Sequence, residues 1–85
     1  MKKIIKFYAD WCGPCVEYKL VFEHITKQLK GWEVEEYNVD TTEGQEKCMA
    51  FGVTSVPATV IQVDDNEPKV IIGMLSAEQL AKEVI

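Results

Sequence analysis

Lys3-Ile4-Ile5-Lys6-Phe7-Tyr8-Ala9-Asp10-Trp11-Cys12-Gly13-Pro14-Cys15 is the stretch on which the fold turns. Lys3 to Ala9 is rich in branched and aromatic residues and reads as a strand. Pro14 then falls in the first turn of a helix, where its missing N–H costs nothing. Cys15, Tyr18, Phe22, Ile25 and Leu29 recur at helical spacing and form its inward stripe. That helix is expected to run to about Lys30, with Gly31 as its stop. Trp32 to Val39 reads as a second strand. Strand, helix and strand make a βαβ unit, so the two strands are expected to be parallel with a right-handed crossover.

Outward from this unit the pattern continues. Glu43 to Phe51 is expected to be a second helix closed by Gly52, and Ala58 to Val63 a third strand. Asp64-Asp65-Asn66-Glu67-Pro68 is a turn cluster, so Lys69 to Gly73 returns as the second arm of a hairpin. Ser76 caps a last helix, with Gln79 as its capping-box partner and Leu80 and Val84 facing inward. The expected fold is α/β in the order βαβαββα. It is a four-stranded mixed sheet with three helices on its two faces, in a single domain over residues 1–85.

Composition narrows the function. Nine basic and 14 acidic residues give a net charge of −5, which disfavours nucleic acid and anionic membranes as partners. No window approaches the roughly 18 apolar residues of a membrane span. Met1-Lys2-Lys3 resembles the start of a secretory signal, but Lys6 and Asp10 interrupt the apolar run that would have to follow. The chain is therefore expected in the cytoplasm, as a monomer. Three cysteines, Cys12, Cys15 and Cys48, do not suit a disulfide framework. In a reducing compartment a pair three apart points to chemistry or metal instead.

Cys12 falls at a helix N-terminus, where unpaired N–H groups and the positive end of the dipole favour a thiolate. Cys15 lies one turn further on, within disulfide reach, and Gly13-Pro14 is expected to keep the first sulfur exposed. Lowering a thiol pKa from about 8.5 to about 7 raises its thiolate fraction at pH 7 about 16-fold. Intrinsic nucleophilicity falls about fivefold for the same change, so the net gain is only about threefold. The larger advantages are Cys12 as a leaving group and Cys15 held ready to resolve a mixed disulfide. The competing reading is a zinc knuckle, which needs two more ligands from Cys48 and His24. His24 falls on the first helix, three turns away and facing solvent, and Cys48 reads as a small buried apolar residue. No metal is therefore expected.

Lys6 breaks the pattern, because it shares the face of Ile4 and Tyr8 on a strand that a helix should cover. It either lies near an edge and reaches water, or pairs with an acid close to the cysteines. On the neighbouring strand Val34, Glu36 and Asn38 alternate onto one face.

These residues together resemble the thioredoxin family over nearly the whole chain. The matching stretches are Phe7 to Cys15 with its WCGPC motif, Asn38-Val39-Asp40, Phe51-Gly52-Val53-Thr54-Ser55-Val56-Pro57, and Ile72-Gly73-Met74-Leu75-Ser76. The resemblance implies a protein-disulfide reductase and electron carrier working through a Cys12–Cys15 dithiol/disulfide couple, with no bound cofactor. It implies a cis Val56–Pro57 bond beside the cysteines and a substrate groove of Trp11, Gly13, Pro14, Val56, Pro57 and Gly73. It also implies disulfide-bearing protein substrates and recharging by an NADPH-dependent flavoprotein reductase. The chain departs from the family in opening directly on the first strand, so the minimal, glutaredoxin-sized fold is expected. Leu20 stands where a mid-helix proline is usual. The family's buried aspartate falls at Lys6 and its partner lysine at Glu36, so the charges are exchanged and Lys6 and Glu36 are expected to tune the site electrostatically. Two rivals remain at this point: a glutathione-dependent glutaredoxin and a redox-inert binding module.

Overall fold

The computed structural model describes residues 1–84. The elements are β1 (Lys2–Tyr8), α1 (Gly13–Thr26), β2 (Trp32–Asn38), α2 (Thr42–Phe51), β3 (Ala58–Val63), β4 (Lys69–Ile72) and α3 (Ala77–Val84). The order expected from the sequence holds, and the four strands form one sheet in the order β2-β1-β3-β4. β1 runs parallel to β2 and antiparallel to β3, and β3 pairs antiparallel with β4.

The helix α1 ends at Thr26, short of the expected Lys30. The Thr26 hydroxyl donates to the Phe22 carbonyl at 2.8 Å, a local bond that competes with helix continuation. The next amides close three-residue turns: Gln28 N donates to Ile25 O and Leu29 N to Thr26 O, both at 3.1 Å. Leu29 still packs on the core from this turn. Gly31 takes its left-handed φ of 79° in the loop beyond, not as the helix stop.

The central position of β1 decides the layers. One face carries Ile4 beneath Tyr18, Phe22 and Ile25 of α1 and Leu80 and Val84 of α3. The other carries Ile5 and Phe7, with Ala58 and Val60 of β3, beneath half-buried Phe51 of α2. Apolar residues on both faces are what a central strand covered on two sides demands. Tyr18 is fully enclosed and its hydroxyl shares a 2.6 Å hydrogen bond with Thr59 Oγ1. Burial pushes the Tyr18 phenol above its ordinary pKa, and the bond to Thr59 partly offsets this.

The helix α2 begins one residue before the expected Glu43, because Thr41 caps it by accepting from Gly44 N at 2.9 Å. The last helix has the expected capping box: Gln79 N donates to Ser76 Oγ at 3.1 Å, and Ser76 N donates to Gln79 Oε1 at 2.9 Å.

Gly44 is a helical position where alanine would ordinarily gain about 1 kcal/mol. Here a Cβ would lie 1.9 Å from the Asn38 carbonyl oxygen and 2.7 Å from its carbon, and backbone does not yield as a side chain does. Gly44→Ala is therefore expected to destabilise by about 1–3 kcal/mol, reversing the propensity effect. Urea denaturation checks the sign; a stabilised variant would show that α2 can lift away from β2.

Candidate active site

The strand β1 and the helix α1 meet at Cys12. It is the N-cap residue of α1, with φ −89° and ψ 108°, and Pro14 occupies the first turn. Its Sγ accepts a 3.2 Å hydrogen bond from Cys15 N, so one of the otherwise unpaired amides of the helix start points at the sulfur. Cys12 N in turn donates to Ala9 O at 3.2 Å, which closes the turn out of β1. Cys12 and Cys15 are joined as a disulfide, their Cα atoms 5.3 Å apart.

The expected exposure of the first sulfur is corrected by the structure. Cys12 is 5% exposed and Cys15 4%, because the disulfide folds both sulfurs against Ala9, with Tyr8, Val39 and Val56 packed around them. In the oxidised state exposure does not separate the two cysteines. Their place in the helix does, since the capping hydrogen bond reaches only Cys12 Sγ.

Of the residues singled out for a groove, Gly13 and Pro14 lie between the two cysteines in the chain, and Val56 meets them through packing. Val56 packs on the cysteine cluster, and the Val56–Pro57 bond is cis. Pro57 O accepts from Gly73 N at 2.8 Å, which ties the loop before β3 to the end of β4. Gly73 has φ 100°, a conformation that favours glycine. Trp11, 70% exposed, forms one wall of a mostly apolar pocket of about 340 Å³ that Val56 also lines. Gly13 and Pro14 are exposed at the start of α1.

Sequence reasoning missed some of this surface. Asp40 Oδ2 accepts from the Trp11 indole at 2.9 Å and fixes the ring over the pocket. Thr54 and Ser55 line the same pocket, as does Cys48. Cys48 is half-buried, against its expected full burial, because this pocket opens beside it. Burial still pushes its thiol pKa up. The signal for Asp40 lay in Asn38-Val39-Asp40: Asn38 Oδ1 accepts from Asp40 N at 2.9 Å, a side-chain turn that leads out of β2 beside Trp11.

Lys6 is not at an edge, and its side chain is almost wholly enclosed. It lies on the central strand in register with Glu36, is 2% exposed, and places Nζ 2.8 Å from Glu36 Oε1. Its Nζ also sits 5.3 Å from the Tyr8 ring centre and 5.1 Å from that of Phe22. Glu36 is 42% exposed, so the pair is enclosed at its cationic end only. His24 is exposed on α1, and no group of three or more candidate metal ligands converges among the described residues.

Reduced protein treated with limiting iodoacetamide at pH 7 should label Cys12 before Cys15 and Cys48, since the helix start favours its thiolate and burial disfavours that of Cys48. Peptide mass mapping reads the order. Early labelling of Cys48 would contradict the effect of its burial, and early labelling of Cys15 would exchange the two roles.

Comparison with known proteins follows the same lines. The family model described as Thioredoxin matches residues 1–85. A thioredoxin from Borreliella burgdorferi is 39% identical over 75 residues, which are 88% of this chain and 63% of that protein. A chloroplastic thioredoxin from Arabidopsis thaliana is 28% identical over 95% of this chain and 42% of its own length. The chain thus spans less than two thirds of either relative. A solved thioredoxin variant from Halobacterium salinarum superposes with a TM-score of 0.84 at 31% identity, covering 98% of this chain and 71% of that one.

Proposed function

The chain belongs to the thioredoxin family, and from that premise we propose that it is a thiol–disulfide oxidoreductase that reduces protein disulfides through Cys12 and Cys15. The observation that carries this reading is the Cys12–Cys15 disulfide at the start of α1, with Cys12 Sγ held by a helix-terminal amide. The same hydrogen bond favours Cys12 as a thiolate in the reduced protein and as a leaving group from a mixed disulfide.

The reaction runs in two displacements. The Cys12 thiolate attacks one sulfur of the substrate disulfide, the substrate S–S bond breaks, and the first substrate sulfur leaves as a thiolate that takes up a proton. Cys15 then gives up its proton and attacks Cys12 Sγ. The mixed disulfide breaks, the second substrate sulfur leaves and is protonated, and the Cys12–Cys15 bond forms. Two electrons pass from the dithiol to the substrate. Both attacks need sulfurs nearly in line, and the short Cys12–Cys15 separation supplies the second alignment.

Trp11, Gly13, Pro14, Val56, Pro57 and Gly73 receive the substrate in this reading. Exposed apolar groups beside a buried disulfide favour an extended, largely apolar segment flanking the target cysteine. The partners are disulfide-bearing proteins, and an NADPH-dependent flavoprotein reductase restores the dithiol. The protein itself carries the redox couple and needs no other cofactor, and residues 1–85 act as one domain. A cytoplasmic setting fits a dithiol that must return to its reduced state.

Reduction of insulin disulfides tests this directly. With NADPH and a thioredoxin reductase, turnover is expected, and replacing that pair with glutathione and glutathione reductase should slow it sharply. Turnover supported by glutathione alone would assign the chain the glutaredoxin role instead. No turnover with either system would leave a binding module.

A further inference from the structure

Lys6 is the one buried charged side chain among the described residues. It does not face a sealed core. Lys6 and Glu36 line a cleft of about 560 Å³ beside α1, and Cys15 lines it too. Solvent-exposed Asp10 and Lys19 also line it, so water can enter. Resting on the redox reading above, we propose that the Lys6 ammonium stabilises the Cys15 thiolate formed when the mixed disulfide is resolved, and that Glu36 is the positioning residue that holds Lys6 in place.

The asymmetry of the pair carries the argument. Lys6 is 2% exposed and Glu36 is 42% exposed, with 2.8 Å between their charged atoms. Water screens the carboxylate far more than the enclosed ammonium, so the two charges do not cancel in the cleft they share with Cys15. The rings of Tyr8 and Phe22, each within 5.3 Å of Nζ, add attraction for the cation without adding a counter-charge. The remaining titratable groups on the cleft are Tyr8 from β1, Asp10 before α1, and Lys19 and Glu23 on α1. Asp10 and Lys19 are solvent-exposed and of opposite sign, and Glu23 is half-exposed, so solvent and salt weaken their effect on Cys15. No enclosed carboxylate on this face is available to take the Cys15 proton. In this scheme the proton passes to water in the cleft, the ammonium stabilises the sulfur left behind, and the departing substrate thiolate takes a proton from solvent. Proton and electron counts are those of the two-displacement scheme.

The test uses the full chain with Cys12→Ser and Cys48→Ala, which leaves Cys15 as its only thiol. Thiolate absorbance against pH gives the Cys15 titration midpoint. Lys6→Met in this background should raise the midpoint by about one pH unit or more. Lys6→Arg, which keeps the charge, should hold it low. In the Cys12-containing protein, Lys6→Met should slow resolution of a mixed disulfide at pH 7 only about threefold. A tenfold loss of thiolate is partly repaid by a more nucleophilic sulfur. If Lys6→Met does not fold, Glu36→Gln carries the test by releasing Lys6 from its positioning residue: a raised midpoint supports the coupling, and an unmoved or lowered one overturns it. An unchanged midpoint in folded Lys6→Met also overturns it. The midpoint needs no catalysis, so failure to reduce insulin removes the redox reading alone. Normal insulin reduction with an unmoved midpoint removes this inference alone.

Discussion

Cys15→Ser should convert the protein from a catalyst into a trap. Cys12 keeps its place at the α1 N-cap, so the first displacement proceeds and a mixed disulfide with the substrate forms. The serine hydroxyl is a poor nucleophile for sulfur, and resolution must then wait for an external thiol. A well-placed internal thiol acts at an effective concentration far above the millimolar range of external thiols, so multiple-turnover reduction is expected to fall by at least about 10³-fold. Non-reducing electrophoresis and mass spectrometry of captured conjugates should place the bond on Cys12. Cys12→Ser should abolish both turnover and capture. A Cys15→Ser protein that turns over at the normal rate would show that resolution does not use Cys15, and capture by Cys12→Ser would exchange the roles of the two cysteines.

Phe7→Ala should cost about 3–5 kcal/mol of stability. Phe7 is fully buried on the central strand. Its ring stacks on Tyr37 at 5.7 Å and meets the edge of Phe51 at 6.4 Å, so it joins β1, β2 and α2 at one point. At roughly 0.05–0.15 kcal/mol per residue, a chain of this length has only about 4–13 kcal/mol in total. The substitution therefore removes about a quarter of it or more, and urea midpoints measure the loss. Lys6→Met on the opposite face should cost far less. An apolar side chain of similar length fills the same space, and Glu36, already half in water, is free to hydrate. A loss for Lys6→Met as large as that for Phe7→Ala would mean that the ion pair, rather than apolar packing, holds this face together.

The order of elements was legible because the period of apolar residues changes from strand to helix within a few positions. Cys15, Tyr18, Phe22 and Ile25 all face inward on α1 as their spacing requires. Where α1 stops was not legible. The Thr26 hydroxyl chooses between solvent and the Phe22 carbonyl according to its surroundings, and a stripe reaching Leu29 looks the same whether its last turn is helical or not. Gly44 misleads in the same way: along the sequence it is a poor helix former, and only the approach of the Asn38 carbonyl shows why nothing larger fits.

By itself, the sequence determined that Cys12 and Cys15 stand one turn apart at a helix start, because that depends only on local geometry and on Pro14. It also put Lys6 and Glu36 each on the same face as its alternating neighbours, because alternation along a strand is a local rule, while their standing opposite each other was implied by the family resemblance and is seen in the structure. The tertiary structure alone decided that β1 is the second strand of four, which excludes Lys6 from any edge. It alone enclosed the ammonium while leaving its carboxylate half in water, and it alone set Asp40 against Trp11 and Cys48 beside a pocket. Burial and partner choice of this kind arise where segments far apart in the chain come to share one volume, and no local period encodes which of them will meet.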